Sequence, residues 1–191
     1  MRFAVKNGRE EQDLAAACSR KDRLAEEELY TRYAARVYTL CRRYTGSTAD
    51  AEDLLQETFI KVLDTISSFR YKGKGSLQAW ISRIAVNTAI DRIRSSNRLP
   101  TIPLDFSAAK ELADEDGERV ERLSGEVLLE LISRLPDLRR TVFNLYCIDG
   151  YSHKEIGKLL EISEKGSAGI LAKARRQLRQ EMDRYLKETE I

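Results

Sequence analysis

The sequence predicts an all-α protein: two small helical domains joined by a flexible acidic linker. Three observations carry that prediction. Large apolar residues recur every three to four positions at both ends of the chain, the period of a helix buried on one face. No segment alternates apolar and polar residues as a half-buried strand does. Between the helical blocks lies a stretch with Pro100, Pro103 and Gly117, few large apolar residues and many acids.

The first block gives a domain over 10–98. Leu24, Leu29, Tyr33, Val37 and Leu40, then Leu54, Leu55, Phe59, Val62, Leu63 and Ile66, follow helical spacing. Gly46-Ser47 and the Gly73/Gly75 pair break that pattern. Four helices are expected, at about 10–20, 23–44, 48–67 and 76–97. The linker, 99–125, holds seven acids against three bases, a composition that favours a solvated, extended chain. The second block gives a domain over 126–188. Its first helix ends at Pro136, its second runs from Asp137 to Cys147, its third from about Ser152 to Leu160, and its fourth starts after Ile162 with Ser163 as N-cap.

Whole-chain properties narrow the function. The net charge is only +2, so any nucleic-acid footprint must be local. No stretch reaches the ~20 apolar residues that cross a bilayer. The start, MRFAVKNGREEQDL, lacks the apolar core of a signal peptide, and a cytoplasmic protein is expected. Cys18, Cys41 and Cys147 are far apart and His153 is the only histidine. That offers no metal-ligand set, and the cysteines read as small buried hydrophobes. No cofactor, metal or small-molecule substrate is expected.

The strongest local signal runs from Gly150 to Leu178. Ser152 with Glu155 makes a capping box; Ile156, Leu159 and Leu160 form a buried face. Glu161-Ile162-Ser163 turns the chain into a helix burying Ile170, Leu171, Ala174 and Leu178. Such a helix-turn-helix places its second helix in the major groove. From Ser163 to Lys187 seven bases face three acids, a charge that would neutralise phosphates. A helical hairpin with a solvated basic face would show the same spacing. Side chains placed to meet DNA are Ser152, His153, Lys165, Ser167, Lys173 and Arg176. The early residues, Lys165-Gly166-Ser167-Ala168-Gly169, are poor in long hydrogen-bonding groups.

In the first block, Asp50, Asp53, Gln56, Glu57 and Lys61 form an outward polar stripe on one helix. No nucleophile or histidine accompanies these acids, which makes a docking or solvated face the better reading than a catalytic one. From Phe69 to Arg98 seven bases face one acid, with Phe69, Tyr71 and Trp80 among them. Cations beside an exposed aromatic suit a single strand, whose bases stack while its backbone is neutralised. Trp80 reads as core and Tyr71 as the exposed aromatic.

These motifs together resemble the extracytoplasmic-function (group four) sigma factors of the sigma-70 family. The resemblance is carried by DAEDLLQETFIKVL, by the W-xx-RIA-x-N-xA-x-DR-x-R run from Trp80, by the acidic linker, by LPDLRRTVFNL from Leu135, and by GYSHKEI ahead of a basic helix. It spans about Glu10 to Lys187, in the same order. It implies a protein without catalytic activity that binds core RNA polymerase, at its clamp helices and flap, and directs it to promoter DNA. By the same resemblance, Asp50, Asp53, Gln56 and Glu57 dock on the clamp helices. Arg70, Tyr71, Lys72, Lys74, Arg83, Asn87 and Arg94 melt and read the minus-ten element. The helix-turn-helix reads the minus-thirty-five element, and the linker threads the RNA exit path. An anti-sigma partner, often membrane-anchored in the family, is also implied. The loop Tyr71-Lys72-Gly73-Lys74-Gly75 and the residues Ala168-Gly169-Ile170 depart from the family's usual pattern. Two rivals stand beside this reading: a sigma-like decoy that binds an anti-sigma factor without DNA, and a dimeric helix-turn-helix repressor. The basic charge on both DNA faces disfavours the first, and the aromatic, basic loop the second.

Overall fold

The computed structural model describes residues 9–95 and 123–189. Most of the expected linker lies outside them. Its last residues fall inside: Ser124 caps a helix that begins at Gly125.

Four helices form the N-terminal part: α1 (Glu11–Ser19), α2 (Arg23–Tyr44), α3 (Thr48–Thr65) and α4 (Ser76–Ser95). A short 3-10 turn, Ile66–Ser68, closes α3. Side chains next to each break set the helix starts. Asp22 Oδ1 accepts from the backbone N–H of Leu24 and Ala25 at 3.0 and 3.3 Å. Ser47 Oγ accepts from Asp50 N at 3.1 Å and donates to the Asp50 carboxylate at 2.6 Å. Each satisfies N–H groups that a helix start leaves without an intrahelical partner.

The C-terminal part holds α5 (Gly125–Ser133), α6 (Asp137–Phe143), a π-helical turn (Asn144–Ile148), α7 (His153–Leu160) and α8 (Glu164–Thr189). Among the described residues every regular element is helical.

The chain divides into two compact units. The first contains residues 9–41 and 52–88; the second contains 42–51, 89–95 and 123–189. The first is built on fully buried Leu14, Leu29, Val37, Leu54, Val62, Leu77 and Ile81, at about 1.5–3 kcal/mol for each large side chain removed from water. Cys18 lies in this core, and burial, chiefly, raises its thiol pKa to about 11. Thr58 is also buried, its hydroxyl donating to Leu54 O at 2.7 Å.

In the second unit, Leu131, Ile132 and Leu135 pack against Ala174, Leu178 and Met182 of α8. Buried Arg140 donates through Nη1 to the carbonyls of Ser133 and Leu135, both at 2.8 Å, and pairs with Asp137. It thereby satisfies the carbonyls that Pro136 leaves at the end of α5. Asn144 Nδ2 donates to the carbonyls of Arg43 at 2.6 Å and Arg140 at 2.9 Å. Such bonds explain why residues 42–51 group with this unit rather than with the rest of α2 and α3.

The helix expected from Asp137 to Cys147 is helical throughout but α-helical only to Phe143. It widens at Asn144 into the π turn, with Asp149 N bonded to Asn144 O at 2.9 Å and Tyr151 N to Leu145 O at 2.8 Å. The extra residue turns Tyr146, Cys147 and Ile148 outward. Cys147 is therefore exposed, and the expectation of three buried cysteines holds for Cys18 and Cys41 only.

Candidate polymerase and nucleic-acid interfaces

On α3, Asp53 and Gln56 are exposed and have no bonded partner among the described residues. Their neighbours are more committed. Glu57 and Lys61 form an i,i+4 ion pair at 3.1 Å, and Asp50 belongs to the Ser47 cap. Ile60 was missed by sequence reasoning. It is 61% exposed in the middle of this stripe, at i+4 from Gln56 and i+7 from Asp53, and so shares their face. Its signal was an apolar residue out of phase with Phe59 and Val62.

The loop before α4 is held from both sides. Gly73 and Gly75 have φ of +120° and +89°, a region glycine adopts without strain. Ser76 Oγ accepts from Lys72 N at 3.2 Å. The Glu11 carboxylate, from α1, accepts from Gly75 N at 3.0 and 3.1 Å and from Leu77 N at 3.1 Å. A carboxylate at a helix N-terminus interacts favourably with the helix dipole as well as with the N–H groups. Glu11 was also missed, because 64 residues separate it from Gly75.

On that frame Tyr71 is 42% exposed, and the Lys72 and Lys74 ammonium groups are exposed without partners among the described residues. Arg70 folds back, donating to the carbonyls of Ser67 and Phe69, each at 3.0 Å. Phe69 packs against half-buried Trp80 with ring centroids 5.6 Å apart. Arg83 and Asn87 are exposed one turn apart on α4, and Arg94 is exposed and paired with Glu161 within the second unit.

The C-terminal motif is a closed helix-turn-helix. Ser152 and Glu155 form the full capping box, with bonds of 2.8 and 3.3 Å. Glu161 turns the chain at φ +57°. A Cβ on Gly157 would stand 2.8 Å from Ile162 O, so only glycine fits there. Ser163 Oγ accepts from Gly166 N at 2.9 Å and starts α8.

Several side chains placed at the DNA by sequence are used inside the motif instead. Ser167 is fully buried, its hydroxyl 3.0 Å from His153 Nδ1. That corrects its expected role at a base edge or phosphate. Ser167 shares a face with Ile170 and Ala174, and the α8 N-cap turns that face inward. His153 is half-buried and stacks on Tyr146 at 4.3 Å and 16°. Burial, chiefly, and the Arg175 charge lower its pKa, against the opposing pull of Glu164. Arg175 lies 5.9 Å over the Tyr146 ring. Ser152 is exposed but committed to its cap. Lys165 and Arg176 remain exposed and Lys173 half-buried.

Two sigma-70 family models match the chain. Sigma-70 region 2 matches residues 29–99 and sigma-70 region 4 matches residues 125–178. The ECF RNA polymerase sigma factor SigM of Bacillus subtilis is 31% identical over 155 residues, covering 80% of this chain and 92% of that protein. SigE of Mycolicibacterium smegmatis is 32% identical over 168 residues, covering 85% of this chain and 63% of that protein. Among solved structures, CnrH in complex with the cytosolic domain of CnrY covers 90% of this chain and 96% of its own, at 22% identity and a TM-score of 0.45. The matched regions define a sigma-70-type protein. The chain belongs to the ECF RNA polymerase sigma factors, the transcription initiation factors that give RNA polymerase its promoter specificity.

Proposed function

We propose that this chain docks on core RNA polymerase through Asp53, Gln56 and Ile60 on α3 and holds promoter DNA at two points. Tyr71, Lys72 and Lys74, with Arg83 and Asn87, engage the minus-ten element as melted strand. Lys165, Lys173 and Arg176 hold the minus-thirty-five element as duplex. An anti-sigma protein would regulate the factor by covering these faces. The observation that carries the reading is the loop before α4: one exposed aromatic between exposed cations, on a backbone fixed at both ends. Stacking on an aromatic contributes about 1–3 kcal/mol per base, which offsets a few kcal/mol of unstacking when a base is flipped out.

The test is a run-off transcription assay with the purified chain, core polymerase and genomic DNA, with start sites mapped. Initiation at discrete promoters is expected. A stable polymerase complex that never initiates would favour the decoy. Asp53→Arg with Gln56→Ala should abolish polymerase binding while thermal unfolding stays unchanged. Retained binding would overturn the docking assignment.

A further inference from the structure

Two acids of the C-terminal helices hold residues from the ends of α2 and α4, all within the second unit. The Asp149 carboxylate accepts from the buried Tyr44 hydroxyl and pairs with Arg43 Nη2 at 3.2 Å. Around that pair the end of α2 is gripped through its backbone. Asn144 Nδ2 donates to Arg43 O at 2.6 Å, and Arg140 Nε donates to Tyr44 O at 3.3 Å. A helix end leaves its last carbonyls without intrahelical partners; here they are satisfied from 101 and 96 residues away. Gly46 approaches so closely that a Cβ there would stand 3.3 Å from Arg140 Nη1.

The second acid is Glu161, whose carboxylate pairs with Arg94 at the end of α4. Glu161 has φ +57°, a left-handed conformation that glycine would adopt with less strain. What glutamate adds at that turn is its carboxylate. The pair is exposed and contributes little alone, so the buried Asp149 cluster supplies the hold. Its placement matters more than its strength. Glu161 forms the turn of the helix-turn-helix, and Arg94 lies on the α4 face that the resemblance gives to the minus-ten strand. On a promoter those two elements stand about 25 base pairs apart, roughly 85 Å of duplex at ~3.4 Å per pair. A chain in which Arg94 touches Glu161 cannot reach both. While so paired, Arg94 also carries a carboxylate in place of a strand phosphate.

We propose that this is a resting, self-inhibited form of the chain, latched by Asp149 and Glu161, which opens before the factor spans its promoter. The proposal rests on reading the two DNA faces as a two-point promoter grip.

Double electron–electron resonance on the full chain tests it. Spin labels go on Ser95→Cys and Lys158→Cys in a Cys147→Ser background; both sites are exposed, one and three residues from the Arg94–Glu161 pair. The free chain should give one short distance. Asp149→Asn with Glu161→Gln should replace it with a longer, broad distribution, and so should assembly with core polymerase. A long distance in the free chain without the latch substitutions, or a short one kept in the double variant or in the holoenzyme, would overturn the latch.

Inhibition is read by anisotropy of a labelled single-stranded 12-mer of random sequence. The free double variant should bind about tenfold tighter, the gain when a form open one time in ten becomes fully open. Misfolding would not produce that gain. In the holoenzyme, already open, the same substitutions should change nothing; an equal gain there would be a charge effect and would overturn the inhibition. Tyr71→Ala tests the strand reading separately. If it fails to weaken 12-mer binding, that reading falls and the resonance distances alone decide the latch.

Discussion

The loop before α4 and the helix-turn-helix are both basic segments beside apolar helices, but they use their polar side chains differently. In the first, Glu11 and Ser76 fix the backbone from outside, which leaves Tyr71, Lys72 and Lys74 turned to solvent. In the second, Ser152, Glu155, His153 and Ser167 hold the motif together. What remains for DNA on α8 is a set of cations. A small domain has little core to stabilise it, so its polar groups near the turn do structural work. On the proposed reading, promoter discrimination belongs mainly to the melted strand, and the helix-turn-helix contributes mostly charge.

The largest expected effect comes from Gly157→Ala. Its Cβ would press on Ile162 O, and overpacking of this kind costs about 1–3 kcal/mol. Chemical denaturation should show that loss in the second unit. Upstream duplex binding should fall with it, while single-strand binding persists. Tyr71→Ala should weaken single-strand binding by about 1–3 kcal/mol and leave upstream duplex binding intact, as read by anisotropy on each probe. Lys173→Ala with Arg176→Ala should reduce the salt slope of duplex binding by about two and weaken all upstream sequences alike. An effect confined to particular bases would place direct readout on α8 after all.

Ser167→Ala should reduce stability by about 1 kcal/mol, the usual net worth of a buried hydrogen bond, without changing base preference. The smallest effect is on pH. His153 has a lowered pKa in the folded chain, so the unfolded chain takes up its proton first, near pH 6.5. Stability of the second unit should therefore decline as pH falls through that value and level off below the folded pKa. His153→Gln should flatten that dependence in urea titrations at pH 7.5 and 5.5.

Much of this was legible in the sequence. Apolar spacing, the break at Gly46-Ser47 and local caps at Ser152 and Ser163 located the helices to within a few residues, because these signals act within one turn. The π turn was not legible: Asp137 to Cys147 has unbroken helical periodicity, and the widening depends on where Asn144 finds carbonyls. Glu11 was missed because the N–H groups it holds, on Gly75 and Leu77, are distant in sequence. The spacing of Ser167 to Ile170 and Ala174 puts it on the buried face, and that phase outweighs the expectation that a hydroxyl early in a reading helix meets DNA.

The most direct test of the division between the two regions uses a mapped promoter and the holoenzyme. Equilibrium binding is measured with the upstream element scrambled, and separately with the flipped minus-ten base replaced. The expected result is a loss of about tenfold or less from scrambling and of about a hundredfold from the single replacement, the upper part of the range for one mismatched position. A larger loss from scrambling than from the replacement would contradict the division and return promoter discrimination to α8.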